Sequence, residues 1–444
     1  MAVRKETFSC KLVCKRRFGA AEGSHAWAKR VQIDQCQYLF NNLDYGEMAE
    51  WLKAHAWKAC VVAILPQVRI LFSPPNKISY DYYMDKKQDF QELLSKYFQK
   101  ISKKSGPNQP LQVLVNSDKL GIDFNYSNTD IDQPFHIASI GKIFTAVVIG
   151  ILSDKSAIKL DDKITQYLDE KVLEKLFVYQ NVDYKDQVTI KDLLGHTSGI
   201  SDYFDSSVTA GSKFIDKIMK EPDVLWTPES LVDFTRNNQK AVSAPGKFQY
   251  SDTGYILLGL LIEKVTGKSF GDNLKTLIFD PLAMSNSYLM FYSDPQPTRE
   301  IAKIWFNGVD ISKLNLLSCD WAGGGIVSTT QDLLKFQKAF RSGHLVSSNY
   351  LRQMDTFEHK YRSGIYYGFG MMELRLEGFF FLLRGLPRPR GHIGITSTHL
   401  FYDIDNDVHI IMNFGSNKRM VESFKSLIII EQYIKQYLKK EHSL

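Results

Sequence analysis

Ser139 and Lys142 stand three residues apart in Phe135-His-Ile-Ala-Ser-Ile-Gly-Lys-Ile-Phe-Thr-Ala146. On a helix that spacing puts both side chains on one face, about one turn apart. A serine beside a basic group is an activated nucleophile. At a helix N-terminus, backbone N–H groups and the helix dipole favour developing negative charge. An isolated Ser-x-x-Lys is usually a capping serine followed by a solvated lysine. Here Lys142 lies inside an apolar run, where burial eases loss of its proton. A second group, Tyr250-Ser-Asp252, follows the Pro245-Gly246 turn. A loop there could bring the Tyr250 hydroxyl and the Asp252 carboxylate over the serine. A tyrosine near a lysine cation is expected to have its phenolate favoured and to act as a general base. The plain alternative is a buried tyrosine and a turn-forming aspartate. A third group, His392-Ile-Gly394, opens a strand. Gly394 permits close approach of a substrate or another backbone. The Ile395 N–H could pair with that of Ser139 as an oxyanion hole. His392 would offer a hydrogen bond, or a positive charge when protonated.

The elements that must position these groups are legible around them. Leu111–Val115 and Leu120–Phe124 read as a hairpin about Asn116-Ser-Asp-Lys119. The stretch from Ser139 to Ser153 is apolar on most faces, which predicts a buried central helix. Residues 156–320 are mixed and helix-rich. After the Gly323-Gly-Gly325 turn, a helix is expected over Thr329–Phe340, with Thr329 or Thr330 as N-cap. His399–Asp403 and Val408–Asn413 read as an antiparallel hairpin about Asp405-Asn-Asp407, and a closing helix runs from Val421 to Leu438. Strands at both ends and helices between predict an α/β (α+β) chain. One antiparallel sheet is flanked by helices, beside a mainly helical second lobe. The sheet lobe is expected at 84–138 and 322–444, and the helical lobe at 139–321.

Charge and cysteine are concentrated at the N-terminus. The formal charge is +6, of which residues 1–83 carry +5. The near-neutral remainder gives no reason to expect nucleic-acid binding. Cys10, Cys14, Cys36 and Cys60 fall in the first 60 residues and only Cys319 beyond, so the body has no internal disulfide to form. The Cys10/Cys14 pair lacks a second pair, and the ten histidines show no His-Glu-x-x-His spacing. No metal or cofactor is implied. No run of 18 apolar residues predicts a membrane span, and the extreme N-terminus is too polar for a signal peptide. The chain as written therefore reads as cytoplasmic, or exported if its true start differs. Back-translated, Gly46 to Pro75 resembles a bacterial serine transfer-RNA gene. Gly46–Trp51 fits the acceptor and D-arm, and Val68-Arg-Ile70 the T-loop. Residues 1–83 are accordingly expected to be a spurious or disordered extension, with Met84 as a start and 1–75 dispensable. The alternative is a basic helical extension with Trp51, Leu52, Trp57 and Val61 as its apolar face.

In order, the three motifs resemble those of the serine beta-lactamase and D-Ala-D-Ala peptidase group: Ser-x-x-Lys, Tyr-x-Asn and Lys/His-x-Gly. The nearer branch is that of class C beta-lactamases, D-aminopeptidases and related esterases. Leu193-Leu-Gly-His-Thr-Ser-Gly199 and Trp321-Ala-Gly-Gly-Gly-Ile-Val-Ser-Thr329 are similar to two further stretches of that family. The resemblance covers about residues 110 to 440. It implies a cleft between sheet and helical lobe, with Ser139 attacking a carbonyl. Lys142 and Tyr250 would shuttle the proton, while the Ser139 and Ile395 amides hold the oxyanion. Two positions depart from the pattern. Asp252 replaces the usual Asn, and a carboxylate cannot donate to an acylamido carbonyl. Beside Lys142 it would favour the charged lysine and move the base role toward Tyr250. His392 replaces the lysine of typical beta-lactamases and removes a permanent cation for a substrate carboxylate. The expectation is a hydrolase of small ester, amide or peptide substrates, esterase-like before D-Ala-D-Ala carboxypeptidase or beta-lactamase. A non-catalytic sensor or scaffold of the same fold is the contrasting reading.

Overall fold

The computed structural model describes residues 87–441, apart from 107, 210 and 294–298. The expectations for residues 1–83 and for a start at Met84 lie outside the described residues. Helix α1 (Lys87–Ser105) places Phe90, Leu94, Phe98 and Ile101 at helical spacing, and all four are buried. Strands β1 (Gln112–Ser117) and β2 (Ile122–Ser127) form the expected hairpin, each reaching a little further than the apolar runs alone.

Strands from early and late in the described residues meet in one open sheet. Its remaining strands are β6 (His359–Arg362), β7 (Ile365–Tyr367), β8 (Met372–Leu374), β9 (Arg390–Gly394), β10 (Thr398–Asp403) and β11 (Val408–Asn413). They pair antiparallel in the order β6-β7-β8-β9-β10-β11-β1-β2. Successive strand residues point to opposite faces, and this sheet uses both. Val113, Val115, Ile410 and Met412 join α1 and the closing helix α6 (Met420–Glu441) in one core, with Leu427, Ile430 and Ile434. Leu114, Leu400 and Ile411 face the other way and join a larger core built on α2 (Gly141–Asp154). A small sheet, β3 (Phe135–His136), β5 (Ile326–Ser328) and β4 (Tyr288–Leu289) in that order, underlies the start of α2.

Three further helices matter to the site. They are α3 (Ile190–Leu194), capped by a Thr189/Asp192 box, α4 (Asp252–Thr266), and α5 (Thr330–Arg341), whose N-cap is Thr329. Helix α4 crosses the Trp321 ring at Gly259, where any Cβ would come within 2.6 Å of Trp321 and of the Ala322 methyl. Two details differ from expectation. The central helix begins as a 3₁₀ turn at Ala138–Ile140 before turning α-helical at Gly141. The edge strands β6–β8 have no counterpart in the sequence reading, because runs of three or four residues carry too little alternation to register. Among the described residues, no helix is long and apolar enough to cross a membrane.

Candidate active site

Strand β3 delivers the chain to Ala138, which takes a left-handed φ of 48°. That conformation is costly for a residue with a Cβ, and it turns Ser139 into the first turn of the helix. Lys142, fully buried, follows one turn later. Its Nζ lies 3.2 Å from Ser139 Oγ, donates to the Gly323 carbonyl at 2.8 Å, and forms an ion pair with the Asp252 carboxylate. Three acceptors match the three donors of an ammonium. The rings of Tyr250 and Tyr255 lie 5.1 and 5.5 Å from the same nitrogen. Lys142 is thus built into the site and is not solvated. Gly323 belongs there because a Cβ would stand 3.3 Å from Asp252 Oδ1 and 3.6 Å from Lys142 Nζ.

Asp252 is the first residue of α4. Ser251 caps that helix by accepting from Gly254 N, and its own hydroxyl donates to Ser201 O at 2.9 Å. The preceding Tyr250 is half-buried, its ring 4.4 Å from that of His196 and 5.3 Å from Tyr361. His196 holds this segment in place, because its Nδ1 accepts the Ser251 N–H at 3.1 Å. Burial, then the Asp252 charge, push the Tyr250 phenol well above its ordinary value; the nearby Ser139 hydroxyl acts in the opposite direction. The expectation of a favoured phenolate is corrected here. Burial and Asp252 together leave the resting group a neutral phenol.

At the end of β9, Gly394 runs against the nucleophile turn. A Cβ on it would come 2.8 Å from the Ala138 Cβ and 2.9 Å from Ile137 O, and would overlap Thr398 Oγ1. Its closeness therefore serves backbone packing beside Ser139. Ile395 is exposed in the turn that follows. Neither its amide nor that of Ser139 donates to a partner among the described residues. His392 is fully buried, with Nε2 3.1 Å from the Tyr367 hydroxyl. Burial and then Lys142 push it down to about 3, so its ring is neutral at working pH. The charged form considered from sequence is absent from the site.

Two carboxyl groups that the motifs do not contain complete the electrostatics. Asp202, buried, accepts the Asp252 N–H at 3.2 Å and the Phe204 N–H at 3.1 Å. Burial and the Asp252 charge push it well above the usual carboxylate range. The same two causes push Asp320 up to about 7. No spacing rule announces either residue. The available hint was a carboxylate placed directly after His196-Thr-Ser-Gly-Ile-Ser201, and another inside the apolar Leu316–Trp321 run.

Asp320 gives a test of this picture. An unfolded aspartate ionises near 3.9, about three pH units lower. Between those values the folded chain binds the extra proton, so stability falls as pH rises from about 4 through 7. Asp320→Asn mimics the protonated group. It should melt a few degrees above wild type at pH 8, and the gain should shrink as pH falls and vanish only near pH 4 and below. A gain independent of pH would contradict the assignment.

The sequence model of the family described as Beta-lactamase matches residues 123–428. Penicillin-binding protein 4* of Bacillus subtilis (strain 168) is 33% identical over 161 residues, which are 34% of this chain and 30% of that protein. Teichoic acid D-alanine hydrolase of Staphylococcus aureus (strain MRSA252) is 26% identical over 244 residues, 52% of this chain and 53% of the relative. The chain thus spans about a third to a half of the length of these curated relatives. Among solved structures, D-amino acid amidase from Ochrobactrum anthropi SV3, complexed with D-phenylalanine, superposes with a TM-score of 0.63. It is 21% identical, and the match covers 78% of this chain and 98% of the amidase, a likeness of fold.

Proposed function

Because the chain belongs to the beta-lactamase family, we propose that it is a serine hydrolase cleaving carboxylic esters or amides through an acyl-enzyme on Ser139. The observation that carries this reading is the Lys142 ammonium. It reaches Ser139 Oγ, Gly323 O and Asp252 at once, with its own side chain fully buried. Ser139 Oγ attacks the carbonyl carbon, and its proton passes to the Tyr250 phenolate, the minor form of that group, while Lys142 stays an ammonium beside it. The Ser139 and Ile395 amides receive the oxyanion. The bond to the leaving group breaks, the leaving group takes up a proton, and water then hydrolyses the ester on Ser139. Covalent labelling by a fluorophosphonate tests the nucleophile. A panel of p-nitrophenyl esters, nitrocefin and D-Ala peptides then tests the substrate class.

Charge supports the choice among substrates. Lys142 already has a carboxylate partner, His392 is neutral, and Asp202, Asp252 and Asp320 act electrostatically on one another or on Lys142. Such a site disfavours a substrate carboxylate and accepts neutral or cationic acyl groups, which ranks esterase-like or aminoacyl substrates above penicillin-type ones. The D-amino acid amidase and D-alanine hydrolase relatives fit the aminoacyl side of that reading.

Asp252→Asn tests it. The amide restores a donor for an acylamido carbonyl and removes the anion opposing the Tyr250 phenolate. The ester-to-nitrocefin ratio of kcat/KM should fall about tenfold, or ~1.4 kcal/mol of differential transition-state binding. An unchanged ratio with both activities retained would mean that Asp252 only shapes its turn.

A further inference from the structure

We infer that His136 is a positioning residue for Ser139, acting through the backbone of Ala138 and facing Asp320 on the segment that clamps Lys142. The inference rests on the reading of Ser139 as nucleophile. His136 is buried in β3, paired opposite Val327 of β5. Its Nδ1 accepts the Ala138 N–H at 3.2 Å. A neutral imidazole that accepts at Nδ1 carries its proton on Nε2. That nitrogen has no hydrogen-bond partner among the described residues and lies 3.8 Å from Asp320 Oδ2.

Ala138 needs such a fixing group. It is the strained residue immediately before Ser139, at φ 48°. Two glycines box it in. A Cβ on Gly324 would come 2.7 Å from the Ala138 carbonyl carbon, and one on Gly394 would come 2.8 Å from the Ala138 methyl. Those contacts limit where Ala138 sits, and the His136 acceptor sets where its N–H points. The orientation of the next residue, and so of Ser139 Oγ against Lys142 Nζ, follows from it.

The other side of the ring faces a second strained turn. Asp320 precedes Trp321, whose φ is 24°. From there the chain supplies Ala322 O to the Thr145 hydroxyl at 2.6 Å and Gly323 O to Lys142 at 2.8 Å. One imidazole therefore meets the segment carrying the nucleophile and the segment holding its lysine. Burial pushes His136 down to about 4, so it keeps this neutral tautomer through the working pH range.

The test begins with full-length wild type and a fluorophosphonate. Failure to label Ser139 would defeat the nucleophile reading and leave the geometry of His136 untouched. With labelling established, two variants divide the inference. His136→Asn places an amide oxygen where Nδ1 was and should keep kcat and the labelling rate within about threefold. His136→Leu fills the volume but accepts nothing. Its kcat and labelling rate per folded molecule should fall at least about tenfold with KM nearly unchanged, as expected when a reacting group is misplaced by a fraction of an ångström. Equal impairment of both variants, or a loss in the leucine variant no larger than its loss of folded protein, would overturn the proposal. If the leucine variant does not fold, ¹⁵N NMR of histidine-labelled wild type decides. The expected signature is one neutral His136 with Nε2 protonated from pH 5 to 8. An Nδ1–H tautomer, or protonation within that range, would overturn it.

Discussion

Ser139→Ala should abolish turnover of every substrate the protein accepts, together with fluorophosphonate labelling, and leave the melting temperature nearly unchanged. Removing a covalent nucleophile commonly costs on the order of 10⁴-fold or more in rate. The substitution is mild for the fold. Ser139 is partly exposed, and Lys142, which approaches its hydroxyl at 3.2 Å, keeps Gly323 O and Asp252 as partners without it. The backbone that forms the turn is set by Ala138, Gly324 and Gly394, not by the serine side chain. Loss of activity without loss of stability therefore isolates the chemistry. Residual activity within tenfold of wild type would remove Ser139 from the mechanism, and labelling elsewhere would redirect the search to another nucleophile.

What was legible from sequence is what depends on short-range pattern. The β1–β2 hairpin, the buried α2, the Thr329 cap and the final hairpin each follow from periodicity or a turn within about twenty residues. The closure of β1 against β11, Gln112 opposite Asn413, was reachable because apolar strands at the two ends had nowhere else to pair. The Ser139–Lys142 contact was readable because a helix imposes it. Asp252 was legible as a neighbour of Lys142 only through the order of motifs, and the structure brings the two together. The protonation state of Tyr250 was not readable. It depends on burial and on the approach of Asp252, which no local spacing encodes. Asp202, Asp320 and His136 were missed for the same reason. Each is a single polar residue whose role arises from partners 50, 68 and 184 positions away: Asp252, Asp252 and Asp320.

The state of Tyr250 leads to the second large effect. Tyr250→Phe keeps the ring that packs against His196 and Tyr361 and deletes only the hydroxyl. Loss of a general acid–base group typically costs about 10²-fold or more, and the size should depend on the leaving group. An amide or alkyl ester needs a proton delivered as its bond breaks, so the full loss is expected there. A p-nitrophenolate leaves without one, so p-nitrophenyl esters should lose less. The pH profile supplies the sign. Burial and Asp252 hold the phenol well above its ordinary value, so the phenolate fraction is small at neutrality and grows as pH rises. In wild type kcat/KM should climb toward alkaline pH without a plateau near neutrality, and in Tyr250→Phe that slope should be absent. Lys142→Ala should cost as much in rate but also in stability, since it takes from Asp252, beside Asp202, its ion-pair partner among the described residues. If Tyr250→Phe kept the alkaline slope, the proton would be moving through Lys142 and Asp252 alone, and the phenol would be a packing group over the lysine.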